Sequence, residues 1–127
     1  MINLKIESID KFGEKTIEEV KALKIEENNS IIYRYSNDLG KCMIRISDKM
    51  IDIVRTGQIE SSQVLIEGET TDFIYKTPYF NNVFQIKTKK LEYKEKELTI
   101  YYSIYDNNIE VNKLKVRVRE LSNVIIN

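Results

Sequence analysis

The sequence predicts an all-β domain closed into an antiparallel up-and-down barrel. Three observations predict it: side chains alternate with period two through most of the chain, polar turn residues separate the alternating runs, and two long runs change phase internally. Successive side chains of a strand point to opposite faces, so an apolar/polar rhythm means that one face is buried. A one-residue slip within a strand marks a bulge, which bends long strands towards closure, and closure removes exposed edges. A chain of 127 residues can bury one core, so residues 1–127 form a single domain.

The elements follow in order. Ile2, Leu4 and Ile6 alternate with Asn3, Lys5 and Glu7 in a half-buried first strand. Residues 16–26 carry two signals. Thr16-Ile17-Glu18-Glu19 has capping-box spacing and Ile17, Val20 and Leu23 or Lys24 would share a helical stripe, so local signals support a helix here as well as a strand. Residues 31–36 are β-branched and aromatic, between turns at Asn28-Asn29 and at 37–40. Cys42, Ile44 and Ile46 alternate with Met43 and Arg45, Ser47-Asp48-Lys49 turns the chain, and 50–55 runs back to Thr56-Gly57 as the second half of a hairpin.

Further strands are expected at 61–67, 71–77, 83–93, 97–105 and 109–119. Phe84, Ile86 and Thr88 share a face that Leu91 and Tyr93 leave, and Ile109 and Val111 give way to Leu114, Val116 and Val118; both slips predict bulges. Pro78, the only proline, cannot donate to a ladder and is expected at a bend or strand edge.

Composition narrows the chemistry. Histidine is absent, which removes the usual general base and the commonest metal ligand, and with a single cysteine a zinc site is not expected. There is no Gly-rich phosphate loop or Asp-rich calcium loop, so no cofactor is expected. Cys42 shares an apolar face with Ile44 and Ile46 and reads as an inert core thiol. The first residues lack the basic and apolar regions of a signal peptide, and no apolar run approaches the roughly 20 residues of a membrane helix, so the expected compartment is the cytoplasm.

Several stretches together carry a family resemblance. Val54-Arg55-Thr56-Gly57 and the run to Ile66, Phe73-Ile74-Tyr75-Lys76-Thr77-Pro78-Tyr79, Phe84 to Leu91 with Thr88-Lys89-Lys90-Leu91, and Asn112 to Val116 resemble the YwiB-like family of small bacterial proteins of unknown function. The resemblance implies a calycin-like (lipocalin-type) barrel of about eight to ten strands, with residues 16–26 as a strand. It brings no catalytic residues. The family usually has glycine after Thr-Pro-Tyr; here Phe80-Asn81-Asn82 follows, so the turn is expected to use an asparagine at positive φ.

Candidate site residues are those a barrel could aim inward. Tyr33, Tyr35, Arg45, Arg55, Tyr75, Tyr79, Tyr101 and Tyr102 are amphipathic, and tyrosine hydroxyls with an arginine suit a carboxylate or carbonyl while apolar walls hold the rest of a ligand. The strongest set is Arg55, Tyr33, Tyr35, Tyr75, Tyr79 and Tyr102, with Arg55 first because it precedes Thr56-Gly57 at a strand end, where a barrel has its mouth. The expected function is non-catalytic binding of a small hydrophobic or carboxylate-bearing ligand in the lumen or mouth.

Two alternatives stand beside it. Barrels of this architecture include phenolic acid decarboxylases, thought to work with tyrosine, arginine and glutamate, and this chain offers Tyr33, Tyr35, Arg55 and Glu60 for such an enzyme. Apolar residues on outer strand faces, such as those in Ile31 to Tyr35, would instead make a protein-interaction surface or a homodimer. Lys plus Arg equals Asp plus Glu at 20 each, so no global field draws nucleic acid or membrane, and neither is expected as a partner. Lys87, Lys89, Lys90, Lys94 and Lys96, followed by Lys113, Lys115, Arg117 and Arg119, could merge into a stripe for phosphates with Tyr93, Tyr101 or Tyr105 stacking bases. Glu92, Glu95, Glu97 and Glu120 interrupt them, so a solvated strand face is expected instead.

Overall fold

Each alternating run becomes a strand in the computed structural model, which describes residues 1–121. The strands are β1 (Ile2–Asp10), β2 (Lys15–Glu27), β3 (Ser30–Asn37), β4 (Gly40–Ser47), β5 (Met50–Gly57), β6 (Glu60–Ile66), β7 (Thr70–Lys76), β8 (Asn81–Lys94), β9 (Glu97–Asp106) and β10 (Ile109–Leu121). Neighbours in sequence pair antiparallel, and β10 returns to β1 through partners such as Lys5↔Arg119, closing a ten-stranded up-and-down barrel.

Residues 16–26 lie within β2, and their helical signals are overridden. Thr16, the candidate cap, spends its hydroxyl on a hydrogen bond to Ser8 of β1. Val20 and Ala22 instead face the core, with Ala22 completely buried. Helix propensity is a weak prior that such tertiary burial readily outweighs.

Both phase slips are bulges. The β8–β9 register shifts between Thr88 and Lys90, and the β9–β10 register between Glu110 and Asn112. The first is clamped from outside the ladder: Gly68 N–H donates to the Thr88 carbonyl at 2.8 Å.

Asn28 and Asn29 (φ 46° and 63°) and Asn107 and Asn108 (φ 50° and 66°) form two-residue hairpin turns of the kind that needs positive φ at both central positions. The turn after Tyr79 differs from its expectation. Neither Asn81 nor Asn82 has positive φ; both belong to β8. Thr77 closes this turn instead, its amide donating to the Phe80 carbonyl at 2.7 Å and its hydroxyl accepting from the Tyr79 amide at 3.2 Å, with Pro78 between.

In a meander the turns fall at alternate ends. The upper rim carries the turns after β1, β3, β5, β7 and β9; the lower rim carries those after β2, β4, β6 and β8 together with the start of β1 and the end of β10. Between the rims the barrel is packed. Every strand contributes to the core, from Leu4 on β1 through Ile44, Leu65 and Phe73 to Ile100 and Val118. Each fully buried aliphatic side chain stabilises the fold by roughly 1.5–3 kcal/mol. This packing confines any open space to the rims and seams.

Candidate functional site

Directly opposed residues of neighbouring strands share a face. One such row runs along the upper rim: Tyr35, Cys42, Arg55, Ser61, Tyr75 and Asn82 oppose each other in turn from β3 to β8. Tyr35 and Tyr75 pack against the core, so the row faces inward. Arg55 sits two strands from each tyrosine, about 10 Å of backbone either way. Among the described residues its guanidinium makes no ion pair and no hydrogen bond.

The neighbours of Arg55 differ in kind. Burial raises the Tyr35 hydroxyl well above its ordinary pKa, with a further contribution from the neighbouring Cys42 thiol; Arg55 opposes the shift. Tyr75 is held by its ring, edge-on to Phe73 at 6.0 Å and to Phe80 at 6.3 Å. Cys42 is buried among these groups, on the face it shares with Ile44 and Ile46.

Two glycines set the rim geometry. Gly57, which completes Arg55-Thr56-Gly57, opposes Gly40. A Cβ on Gly40 would stand 2.0 Å from the Thr56 carbonyl oxygen, and one on Gly57 would stand 2.6 Å from the Leu39 carbonyl oxygen. Only glycine permits this approach, and φ of 135° and 145° disfavours any other residue as well.

The wall opens beside this row. β2 pairs with β3 only over Leu23–Glu27, whereas Lys15–Ala22 pairs with β1 alone. A groove of about 1110 Å³ fills the splay, lined by Ile17, Val20, Leu39, Met43 and Val54 and reaching Tyr35 and Cys42 of the inner row. The Asn37 side-chain amide donates to Glu18 Oε1 at 3.1 Å across the splay.

The structure divides the sequence-derived candidates. Tyr35, Arg55 and Tyr75 come together in the row, while Tyr102 faces inward elsewhere, opposite Thr88, where burial pushes its hydroxyl up to about 12. Tyr79 is 98% exposed on the turn. Arg45 opposes Asp52 and Tyr101 opposes Lys115, both on the outer face. Glu60 is also on the outer face, opposite Lys76, and so cannot join Arg55 inside. Ile32, the outward residue between Ile31 and Tyr33, is 1% exposed and presents no apolar surface.

Tyr33 belongs to a different cluster, at the lower rim. Its hydroxyl donates to Glu120 Oε2 at 2.7 Å and lies 2.8 Å from the Tyr93 hydroxyl, and Lys24 Nζ reaches the same Glu120 oxygen at 2.7 Å. Burial by itself would raise the Glu120 carboxyl, but the hydrogen bonds from Lys24 and Tyr33 outweigh it and hold the group below its usual range. The Glu120 hydrogen bond raises the Lys24 ammonium against the opposing effect of burial. Among the described residues, no group of three or more His, Cys, Asp or Glu side chains is arranged to hold a metal ion.

The family model described as a domain of unknown function, DUF1934, matches residues 2–118. The chain belongs to this family. The fold is similar to the crystal structure of ywiB protein from Bacillus subtilis, with a TM-score of 0.73 and 18% identity over 95% of this chain and 92% of that one. At that identity the likeness is one of fold. No curated protein matches the sequence.

In this DUF1934 barrel, Lys24, Tyr93 and Glu120 are the residues that sequence reasoning missed. A signal for two of them was present. Glu120 continues the Leu114-Val116-Val118 alternation and Lys24 continues Val20-Ala22, so both fall on inward positions despite their charge.

Proposed function

We propose that this protein binds, without transforming it, a small and partly apolar carboxylate at its upper rim. The carrying observation is Arg55, an inward-facing cation free of ion pairs and hydrogen bonds among the described residues and flanked in one row by Tyr35 and Tyr75. A guanidinium offers two parallel donors to a carboxylate, and in a partly desolvated place such a bond is strong. Ile53, Gln63, Phe73 and Phe84 form the next inward row, and its three apolar members supply a wall. The groove in the splay between β2 and β3 runs along Val54 and Thr56, on either side of Arg55 in the chain, and reaches the row at Tyr35 and Cys42.

The packed middle of the barrel favours the rim over the lumen as the ligand's place. Binding without chemistry is favoured because the tyrosine, arginine and glutamate of the enzymatic alternative do not converge: the Tyr33 hydroxyl is engaged at the lower rim and Glu60 lies outside.

Ligand-observed NMR with hexanoate and phenylacetate tests the proposal. Both should bind the wild-type protein, lose binding in Arg55→Ala, and keep it in Arg117→Ala, which removes an outer-face arginine paired with Glu97. Equal binding by wild type and Arg55→Ala would sink the proposal.

A further inference from the structure

The face formed by the outer sides of β8, β9 and β10 lies on the other side of the barrel wall from the inward Arg55 row and has a chemistry of its own. Along the chain its lysines are interrupted by acidic residues, but the fold moves most of these away from the upper rim. Glu120 points into the barrel and is bound by Lys24 and Tyr33. Glu97 pairs with Arg117 near the lower rim, and Glu95 lies in the lower-rim turn between β8 and β9. Glu92 opposes Thr99, also towards the lower rim.

What remains towards the upper rim is a basic surface centred on two tyrosines. Lys87 and Lys90 on β8 face Ser103 and Tyr101 of β9, and Lys113 and Lys115 on β10 face the same two residues from the other side. Lys90 and Lys115 each place an ammonium over the Tyr101 ring, at 5.5 and 5.1 Å from its centre, and Lys87 stands 4.6 Å from the centre of Tyr105. A recess of about 520 Å³ opens here, reaching Lys89 at the bulge. Two carboxylates border it. Glu110 lies 3.9 Å from Lys113 and accepts from the Tyr105 hydroxyl at 3.5 Å, so its charge is shared at the edge of the Tyr105 ring, and Asp10 accepts hydrogen bonds from the Phe12 and Glu14 amides.

We propose that this face binds single-stranded nucleic acid, with the lysines on phosphates and bases stacked on Tyr101 and Tyr105. The two tyrosines are four residues apart on one strand, hence on the same face and about 13 Å apart. Aromatic rings bracketed by cations are what unpaired bases on a charged backbone require, and stacking of this kind accepts any sequence. A base that settles on Tyr101 displaces an ammonium, which then has a phosphate within reach. A duplex hides its base faces and cannot use the tyrosines.

Fluorescence anisotropy with a labelled oligouridylate is the test. Binding should weaken as salt rises, with a slope of roughly −0.7 per phosphate engaged, and Lys90→Ala/Lys115→Ala should flatten that slope by about 1.4. Tyr101→Ala should weaken binding about tenfold. Lys41→Ala/Lys76→Ala removes the same charge from other outer strands and should have little effect. The proposal is overturned by no binding, by equal losses in the two double variants, by duplex binding as tight as the single strand, or by binding to phosphatidylserine vesicles in place of the oligonucleotide.

Discussion

The Tyr33 hydroxyl donates to Glu120 Oε2 at 2.7 Å, tying β3 to the last residues of β10 through the interior of the lower rim. Because Lys24 of β2 binds the same oxygen, the bond links the strands on both sides of β1. A hydrogen bond to a charged group contributes about 1.5–3 kcal/mol. Tyr33→Phe should therefore lower stability by about 2 kcal/mol in urea unfolding. A loss below the error of the measurement would mean that water replaces the hydroxyl without cost.

Acid should act through the same carboxyl. Glu120 is held below its ordinary value, so it stabilises the fold above the unfolded-chain pKa of about 4.3, and this contribution is lost as pH falls through the lower folded value. Urea midpoints should fall more for wild type than for Glu120→Gln between about pH 5 and about pH 3. Parallel curves would assign acid sensitivity to other groups.

Alkali should act through the tyrosines. Burial raises Tyr33, Tyr35 and Tyr102, the last to about 12, so each favours the fold below the unfolded value of about 10 and that contribution is lost as pH rises through the folded pKa. An absorbance titration should show two tyrosine classes, the later one ionising only near pH 12 or on unfolding. Tyr102→Phe should shrink the late class. A single transition near pH 10 for all the tyrosines contradicts this account.

At the upper rim, Gly40→Ala should be among the most damaging single substitutions. Its Cβ would stand 2.0 Å from the Thr56 carbonyl, and backbone on both sides must move. A loss above about 2 kcal/mol is expected in urea unfolding. Gly68→Ala, also at positive φ but with nothing within 4 Å of the added Cβ, should lose about 1 kcal/mol. Equal losses would show that φ alone, and not the contact, sets the requirement.

Much of this was legible in the chain because the pleat is a local property. Leu114, Val116 and Val118 announce the inner face of β10, and the slips after Thr88 and Val111 announce both bulges. Arg55 could be placed at a rim because Gly57 ends its strand. Tyr79, in contrast, is an amphipathic residue that a barrel could aim inward, and the turn closed by the Thr77–Phe80 hydrogen bond leaves it in solvent.

The sequence by itself determined strands, turns, bulges and the alternation of faces, since these depend on the two-residue period and on φ preferences within a few residues. Only the tertiary structure showed why the helical signals of 16–26 give way to a strand, decided that Tyr35, Arg55 and Tyr75 share a row, and brought Lys24 and Tyr33 onto the inward Glu120. Each of these rests on strand pairing or on burial between residues far apart in the chain. A charge acts on what lies beside it in space, so neither Arg55, unpaired among the described residues, nor the lysines gathered around Tyr101 could be seen until the barrel closed.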